Sequence, residues 1–149
     1  MVMKELDQTT LSFIRDHRVA RLATADREGR PSVIPICYAF DGQRVYSVID
    51  HKPKSVGARS LKRIRNIEQN PHVSIVIDDY SDDWTQLRYV VITGDAEISD
   101  PGGAPSPERS KAIALLREKY PQYLAIALEE RLLIKITTTG IKQWAYTGW

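Results

Sequence analysis

A run of cationic side chains is the part of this sequence whose residue types best predict a chemical task. Six cations and no carboxylate lie between residues 51 and 67, namely Lys52, Lys54, Arg59, Lys62, Arg63 and Arg65. A helix is predicted to begin inside this segment, and the free backbone amides at its N-terminus add positive potential. We predict a phosphate site here, where each charge-assisted hydrogen bond contributes about 1.5 to 3 kcal/mol. The alternative is a solvated basic helix face.

The same segment argues against nucleic acid as the ligand. Proteins that bind single strands combine cations with aromatic side chains on which the bases stack, and residues 52–69 contain no aromatic side chain. The net charge of +2 is also too small for non-specific binding to follow from total charge. A nucleic-acid-binding barrel therefore remains a weaker hypothesis than a binder of a phosphorylated small molecule, and we predict no nucleic-acid partner.

An acidic segment at residues 78–83, which reads DDYSDD, is the only sequence feature that suggests a metal ion. Clustered carboxylates suit Mg²⁺ or Ca²⁺, but the segment lacks the glycine and the final glutamate of an EF-hand loop. We therefore predict a solvated loop and no metal. Trp84 follows the segment, where it either shields a bound ring system or packs in the core.

Common catalytic motifs are absent from the sequence. It contains no nucleophile elbow, no dinucleotide-binding glycine pattern and no Walker motif. His17, His51 and His72 have no spacing that predicts shared metal ligation, and we expect surface or strand-edge histidines. A phosphorylated cofactor would have to be held by side chains and a helix end.

Length and composition predict one soluble globular domain over residues 1–149. The apolar content is 42% and the charged content 27%. No apolar run approaches the roughly 20 residues of a membrane span, and the N-terminus lacks a signal core, so we expect a cytoplasmic protein with no membrane partner. Cys37 is the only cysteine. Because it lies in an apolar run, we predict a buried, unreactive thiol.

Short apolar runs separated by turns predict the strands that position the cations. Residues 19–24, 32–40 and 44–50 form three such runs, joined by turns at 26–31 and 41–43 that contain glycine. We interpret them as a β-meander that leads into the cationic segment. Further strands are predicted at 72–78, 88–98 and 132–137, with Gly94 as a candidate bulge.

Three helices are predicted around these strands. The first is capped by Asp7, with Leu6 and Leu11 as a hydrophobic staple, and ends near His17. The second covers residues 60–70; its inward stripe is Leu61, Ile64 and Ile67, and its outer positions are Lys62, Arg63, Arg65 and Asn66. The third follows the cap Ser106 and Pro107 and ends near Tyr120, before a short helical piece at 122–130. The fold class is mainly β, a β-barrel with peripheral helices.

Several short motifs, in their order and spacing, resemble the split β-barrel flavin and deazaflavin oxidoreductases, the superfamily of pyridoxamine 5′-phosphate oxidase. They are ATAD at 23–26, GRP at 29–31, VIPICY at 33–38, DG at 41–42 and VYS at 45–47. A second set is similar to a deazaflavin-dependent branch: KPK at 52–54, LKRIRNI at 61–67, NPHVS at 70–74 and DDW at 82–84. The resemblance covers about residues 6–98.

This resemblance implies a split barrel and a homodimer with cofactor sites at the subunit interface. By position, it implies that the cofactor phosphate and nearby acidic groups are held by Lys52, Lys54, Lys62, Arg63 and Asn66. It implies that the ring is lined, largely through backbone, by Val33, Pro35, Ile36 and Ser47, with Trp84 near the ring or the substrate.

The implied reaction is hydride transfer between coenzyme F420 and a small organic molecule, with FMN as the alternative cofactor. F420 carries a phosphodiester and an oligoglutamate tail, so its distributed negative charge suits an extended cationic segment better. Such a reaction needs no catalytic triad, because the cofactor carries the chemistry. Pyridoxamine phosphate oxidase activity itself is not expected, since the C-terminal arginine-histidine pattern is not identified. A non-catalytic binder of flavin, deazaflavin or haem is a further alternative.

Overall fold

A computed structural model describes residues 6–49, 57–102 and 106–149. In these residues the fold is one curled sheet with three α-helices around it. The helices are α1 (Gln8–Asp16), α2 (Lys62–Gln69) and α3 (Pro107–Lys119). The strands are β1 (Ala20–Ala25), β2 (Pro31–Ile36), β3 (Ala39–Phe40), β4 (Arg44–Val48), β5 (His72–Asp79), β6 (Arg88–Ser99) and β7 (Leu133–Ala145). None of the helices in these ranges is long and apolar enough to cross a bilayer.

The ends of the helices follow their predicted capping residues. The Asp7 carboxylate accepts a hydrogen bond from the Thr10 amide at 2.8 Å, and Ser106 caps α3 through the Arg109 amide at 3.3 Å. Leu6 and Leu11, the predicted staple residues, both pack against the core. The predicted helical piece at 122–130 forms two 3-10 turns, Pro121–Ala125 and Leu128–Glu130.

The order of strands in the sheet refines the predicted meander. The seven strands lie in the order β2-β1-β5-β6-β7-β4-β3, and every pairing is antiparallel. Consecutive pairing holds for β1 with β2 and for β3 with β4, but the predicted run 32–40 is divided into β2 and β3, which lie at opposite edges. Only Cys37 and Tyr38 connect β2 to β3, so the sheet must curl until its two edges come together. This curled antiparallel sheet with peripheral helices confirms the predicted fold class.

The longest pairing, between β6 and β7, contains the predicted bulge. Its register shifts between Thr93 and Gly94. A Cβ atom at Gly94 would lie 2.4 Å from the Thr137 carbonyl oxygen, which explains why the position is glycine. The sequence prediction ended the last strand at residue 137, whereas β7 continues to Ala145.

Two clusters of buried apolar side chains pack against the sheet. The larger fills the inside of the curl and includes Leu22, Ile64, Ile75 and Ile92. The smaller lies beneath α3 and includes Leu116 and Leu133. Cys37 belongs to neither, because its side chain is exposed at the link between β2 and β3, and the prediction of a buried thiol is wrong.

Candidate functional site

The N-terminus of α2 presents cations at a helix end that no side chain caps. No side chain caps this helix, its first turn contains no acidic residue, and Leu61 occupies the N-cap position. Lys62 and Arg65 are exposed, whereas Arg63 is half-buried. Within the described ranges, neither Lys62 nor Arg65 forms an ion pair. The helix end therefore offers donors and positive charge that an external anion can use.

Arg59 forms ion pairs with two carboxylates of this chain. Its guanidinium bonds to Asp100 and lies 3.7 Å from a Glu68 oxygen. Bonds from the Gly102 amide and from Arg59 hold the pKa of the Asp100 carboxyl below its usual range. Arg59 is therefore neutralised by a carboxylate that is distant in sequence, and it is less available than Lys62 to an external anion.

Asn66 was predicted on the outer face of α2, but its side chain faces inward. It is 1% exposed, and its amide donates a hydrogen bond of 3.0 Å to the Thr24 hydroxyl on β1. Residue 66 lies about 100° from Ile67 around the helix, so the buried side of α2 is wider than the predicted stripe and includes Asn66 beside Ile67. Its predicted place in the cofactor-binding set remains a prediction, while its observed contact is with the sheet.

Lys52 and Lys54, the other two predicted phosphate ligands, lie outside the described residues, as does His51. Their segment leaves β4 through Ile49 and returns at Gly57, just before the 3-10 turn Ala58–Ser60 that leads into α2. Their assignment to the phosphate therefore stays a prediction.

Val33 and Pro35 lie on an edge of the sheet that offers backbone groups. The Asp26 amide donates to the Arg30 carbonyl at 3.1 Å, which fixes the alternation of hydrogen-bonded pairs along β1 and β2. By that alternation, the backbone groups of Pro31, Val33 and Pro35 point away from β1. Proline lacks an amide proton and suits such positions. The outward edge of β2 thus presents the Val33 amide and several carbonyls to a planar ligand.

Ile36 and Ser47 come together at the place where the sheet closes, but their side chains are buried. The Ser47 hydroxyl donates a hydrogen bond of 2.8 Å to the Cys37 carbonyl, next to Ile36. This hydroxyl is therefore bonded inside the protein, the alternation above directs the Ile36 backbone groups toward β1, and Ser47 pairs with Ile134 of β7. The ring contact of these two residues stays a prediction.

Trp84 lies at the turn between β5 and β6 and is 63% exposed. In the strand order, β1 and β5 separate β2 from this turn, so one protomer does not place Trp84 against Val33. On the two strands after this turn, the rings of Tyr89 and Trp144 stack with centroids 5.6 Å apart and form an aromatic surface that was not among the predicted site residues. Tyr146 joins it, since its amide donates to the Leu87 carbonyl at 3.0 Å. Extending the alternation of β7 beyond residue 137 would have found Trp144.

The described histidines are paired with carboxylates rather than clustered. The His17 ring lies 2.5 Å from an Asp79 oxygen, and the His72 ring lies 2.8 Å from an Asp95 oxygen. Across residues 6–49, 57–102 and 106–149, no group of three or more His, Cys, Asp or Glu side chains could hold a metal ion.

The described residues fit a planar, phosphorylated cofactor in two respects. The uncapped end of α2 supplies donors and the Lys62 ammonium for a phosphate, and the free edge of β2 supplies backbone groups for a ring. Neither part supplies a general acid or base, so the arrangement binds and orients a reactive group rather than reacting itself.

Comparison with known proteins identifies the family. The family model described as pyridoxamine 5′-phosphate oxidase matches residues 6–145. A 5a,11a-dehydrotetracycline/5a,11a-dehydrooxytetracycline reductase from Streptomyces rimosus subsp. rimosus is 33% identical over 97 residues, which span 64% of this chain and 66% of that protein.

Two solved structures share the fold. The heme storage protein HutZ from Vibrio cholerae superposes with a TM-score of 0.70 and 18% identity, covering 95% of both chains. A protein described as an F420 reductase superposes with a TM-score of 0.62 and 21% identity, covering 92% of this chain and 98% of its own. With the family match over residues 6–145, we conclude that this chain belongs to the pyridoxamine 5′-phosphate oxidase family of split β-barrel, flavin- or deazaflavin-binding oxidoreductases.

Proposed function

We propose that this protein is an F420-dependent oxidoreductase that transfers a hydride between the reduced deazaflavin and a small organic molecule. The observation that carries the proposal is the N-terminus of α2, where uncapped amides adjoin the exposed Lys62 ammonium. When bound, the deazaflavin supplies the hydride chemistry, for which the described residues contain no substitute.

The protein's own residues bind and orient the ring in this proposal. Lys62 and the first amides of α2 hold the phosphate, with Lys52 and Lys54 as further proposed ligands and Arg63 beside them. The Val33 amide and the outward carbonyls of β2 bond to the polar edge of the ring. Held in this way, one face of the ring stays open to the substrate, and its position is fixed before the acceptor arrives.

The preference for F420 over FMN rests on charge. Lys62 and Arg65 lie one helical turn apart on α2 and are both exposed, so they can meet negative charges spread over several ångströms. The oligoglutamate tail of F420 spreads its charge in this way, whereas FMN concentrates its charge on one phosphate. FMN remains the alternative cofactor. The fold is also that of a protein described as an F420 reductase.

We further propose a homodimer in which the partner completes each site. Trp84 and β2 are separated by two strands within one protomer, so a site that uses both needs a second copy of the chain. The outer face of β2 carries Val33, which is 62% exposed, and Pro35, which suits contact with such a copy.

Side-by-side titration of F420 and FMN tests this function, with cofactor fluorescence as the readout. We expect saturable quenching or polarisation with F420 at micromolar concentration, weaker binding of FMN, and oxidation of reduced F420 when a panel of quinones and unsaturated ketones is added. Failure of both cofactors to bind would overturn the proposal. Binding without turnover of any acceptor would favour the non-catalytic carrier, for which a parallel haem titration is included.

A further inference from the structure

A two-residue crossing, formed by Cys37 and Tyr38, carries the chain from one edge of the sheet to the other. The pairing of β2 ends at Ile36 and that of β3 begins at Ala39, so neither residue of the crossing belongs to a strand pair. Tyr38 is fully buried. Because a buried amide or carbonyl without a hydrogen-bond partner is costly, the backbone of the crossing must find partners other than a neighbouring strand.

Tyr120, the residue that follows α3, supplies a partner for the Tyr38 backbone. Its hydroxyl oxygen accepts a hydrogen bond of 3.0 Å from the Tyr38 amide. The hydroxyl also donates to the Arg18 carbonyl at 2.7 Å, in the link between α1 and β1, and lies 3.1 Å from the Tyr38 carbonyl. Burial raises the pKa of the Tyr120 phenol to about 12, so the hydroxyl keeps the proton that it donates. One hydroxyl thus joins the end of α3, the link between α1 and β1, and the crossing.

Ser47 on β4 holds the other residue of the crossing. Its hydroxyl donates a hydrogen bond of 2.8 Å to the Cys37 carbonyl, and its side chain is buried. The Tyr38 ring is fixed as well, because its hydroxyl donates to the Ile14 carbonyl and the Lys119 ammonium lies 3.8 Å from the ring centroid. The side chains of Tyr120 and Ser47 therefore give the crossing the hydrogen bonds that a strand partner gives the rest of the sheet.

The crossing sets the position of β2 relative to β4. It follows Ile36, the last residue of β2, and it bonds to Ser47 on β4. The proposed ring contact is the outward edge of β2, whereas the proposed phosphate ligands Lys52 and Lys54 follow β4 in the sequence. One cofactor can reach both only if the separation between them is fixed. A displacement of about 1 Å is enough to lower a reaction rate about a hundredfold.

We propose that Tyr120 is a positioning residue for the bound cofactor: its hydroxyl holds the crossing, and the crossing holds the outward edge of β2 where that edge meets the ring. Because the ring contact is itself proposed, this role of Tyr120 rests on the proposed function. Without the hydroxyl, the Tyr38 amide loses its acceptor and the Arg18 carbonyl loses a donor. The crossing then shifts, and β2 shifts with it. Cofactor binding therefore depends on a side chain that lies 82 residues beyond Tyr38 in the chain.

Fluorescence titration with F420, or with FMN if only FMN binds, tests the proposal in Tyr120→Phe, which loses the hydroxyl alone. Tyr46→Phe is the matched control, since it removes a buried tyrosine hydroxyl whose partners, Asp41 and Glu108, lie outside the crossing. We expect both variants to lower the urea midpoint. Tyr120→Phe should raise the cofactor dissociation constant at least about tenfold, and Tyr46→Phe should change it by no more than about twofold. Equal dissociation constants in the two variants would overturn the proposal, whereas a wild type that binds neither cofactor would overturn the proposed function and this role with it.

Two spectroscopic readouts separate positioning from a general loss of stability. At saturating cofactor, the circular dichroism band of the bound ring should change in Tyr120→Phe and match wild type in Tyr46→Phe, because only the first variant moves the edge that orients the ring. A band that Tyr120→Phe leaves unchanged would contradict the positioning role. If Tyr120→Phe does not fold, NMR of the wild type decides: the Tyr38 amide signal should shift with that of Val33 when the cofactor binds. A shift at Val33 with none at Tyr38 would overturn the proposal.

Discussion

The Asn66 amide donates a 3.0 Å hydrogen bond to the Thr24 hydroxyl, and both side chains are buried, at 1% and 3% exposure. This bond joins α2 to β1. It fixes the rotation of the helix about its axis, so Lys62 and Arg65 are held toward solvent. The orientation of the proposed phosphate ligands therefore depends on a polar contact inside the protein.

A double-mutant cycle on this pair tests that role. Asn66→Ala leaves a buried hydroxyl without its donor, so we expect the free energy of unfolding to fall by about 1 to 3 kcal/mol in urea titrations. Thr24→Val should cost less in the Asn66→Ala background than in wild type, with a coupling of about 1 kcal/mol. Strictly additive losses would show that the bond contributes nothing of its own.

Lys62→Ala should weaken F420 binding by about 2 kcal/mol, or roughly thirtyfold, because it removes a charge-assisted bond to the phosphate. Thermal stability should stay within about 0.5 kcal/mol, since the side chain is exposed and has no ion pair in the described ranges. Arg65→Ala removes the same charge from the same helix, but farther from its N-terminus, and should cost less affinity. Equal losses in the two variants would point to diffuse attraction and against a phosphate at the helix end.

Gly94→Ala should destabilise the protein by about 3 kcal/mol or more, or prevent folding, because the added methyl meets the bulge of β6. Its Cβ atom would lie 2.4 Å from the Thr137 carbonyl oxygen and 2.8 Å from the Ile136 side chain. Gly57→Ala is the control, since no atom of the described residues lies within 4 Å of its Cβ position, and it should change stability by no more than about 0.5 kcal/mol. Denaturant midpoints that match in the two variants would contradict this account of the bulge.

Lys119 should make the protein more stable as the pH rises from about 8 to about 10.5. Its pKa in the folded protein is about 8, lowered chiefly by burial and then by Arg18. Between the two values the unfolded chain keeps a proton that the folded protein has lost, so the free energy of unfolding increases with pH. The check is a set of urea midpoints across this range, and the increase should be smaller in Lys119→Met. Identical pH profiles would show that Lys119 has an ordinary pKa.

Val33→Arg should shift the proposed homodimer toward monomer, because it places a charge on the exposed outer face of β2. Analytical ultracentrifugation at several concentrations measures the change. Leu124→Arg is a matched control, since Leu124 is 70% exposed but lies on a 3-10 turn away from that face. A dimer that withstands Val33→Arg would exclude this surface as the interface.

Local patterns predicted the elements well because their causes lie within a few residues. Asp7 and Ser106 mark helix starts because their side chains accept hydrogen bonds from the backbone amides of Thr10 and Arg109. The bulge at Gly94 follows from a glycine inside a strand pattern. The curled β fold and its family were predictable for a related reason. The turns at 26–31 and 41–43 and the strand lengths between them form an ordered set of signals, even though each is weak alone.

The features that the sequence did not predict depend on contacts between residues that are far apart in the chain. Neighbours along the chain predicted the pairs of β1 with β2 and of β3 with β4, but not that β4 also pairs with β7 or that the run 32–40 is divided between the two edges of the sheet. The partner of Arg59 is Asp100, and the partner of Asn66 is Thr24; neither is visible to a pattern that spans a few residues. Cys37 is exposed because the chain changes sheet edge there, although its neighbours on both sides are apolar.

The pairing of β4 with β7 also has a kinetic consequence. Arg44 lies opposite Thr137, and Arg21 opposite Val76, so these strand pairs cannot form until distant parts of the chain have met. Closing such long loops lowers the entropy of the chain before the strand contacts can stabilise it. Proteins rich in such pairs therefore fold slowly, in roughly milliseconds to seconds. The pairs of β1 with β2, β3 with β4 and β5 with β6 join strands that are consecutive in the sequence and escape this delay, so we expect them to form before the pair of β4 and β7.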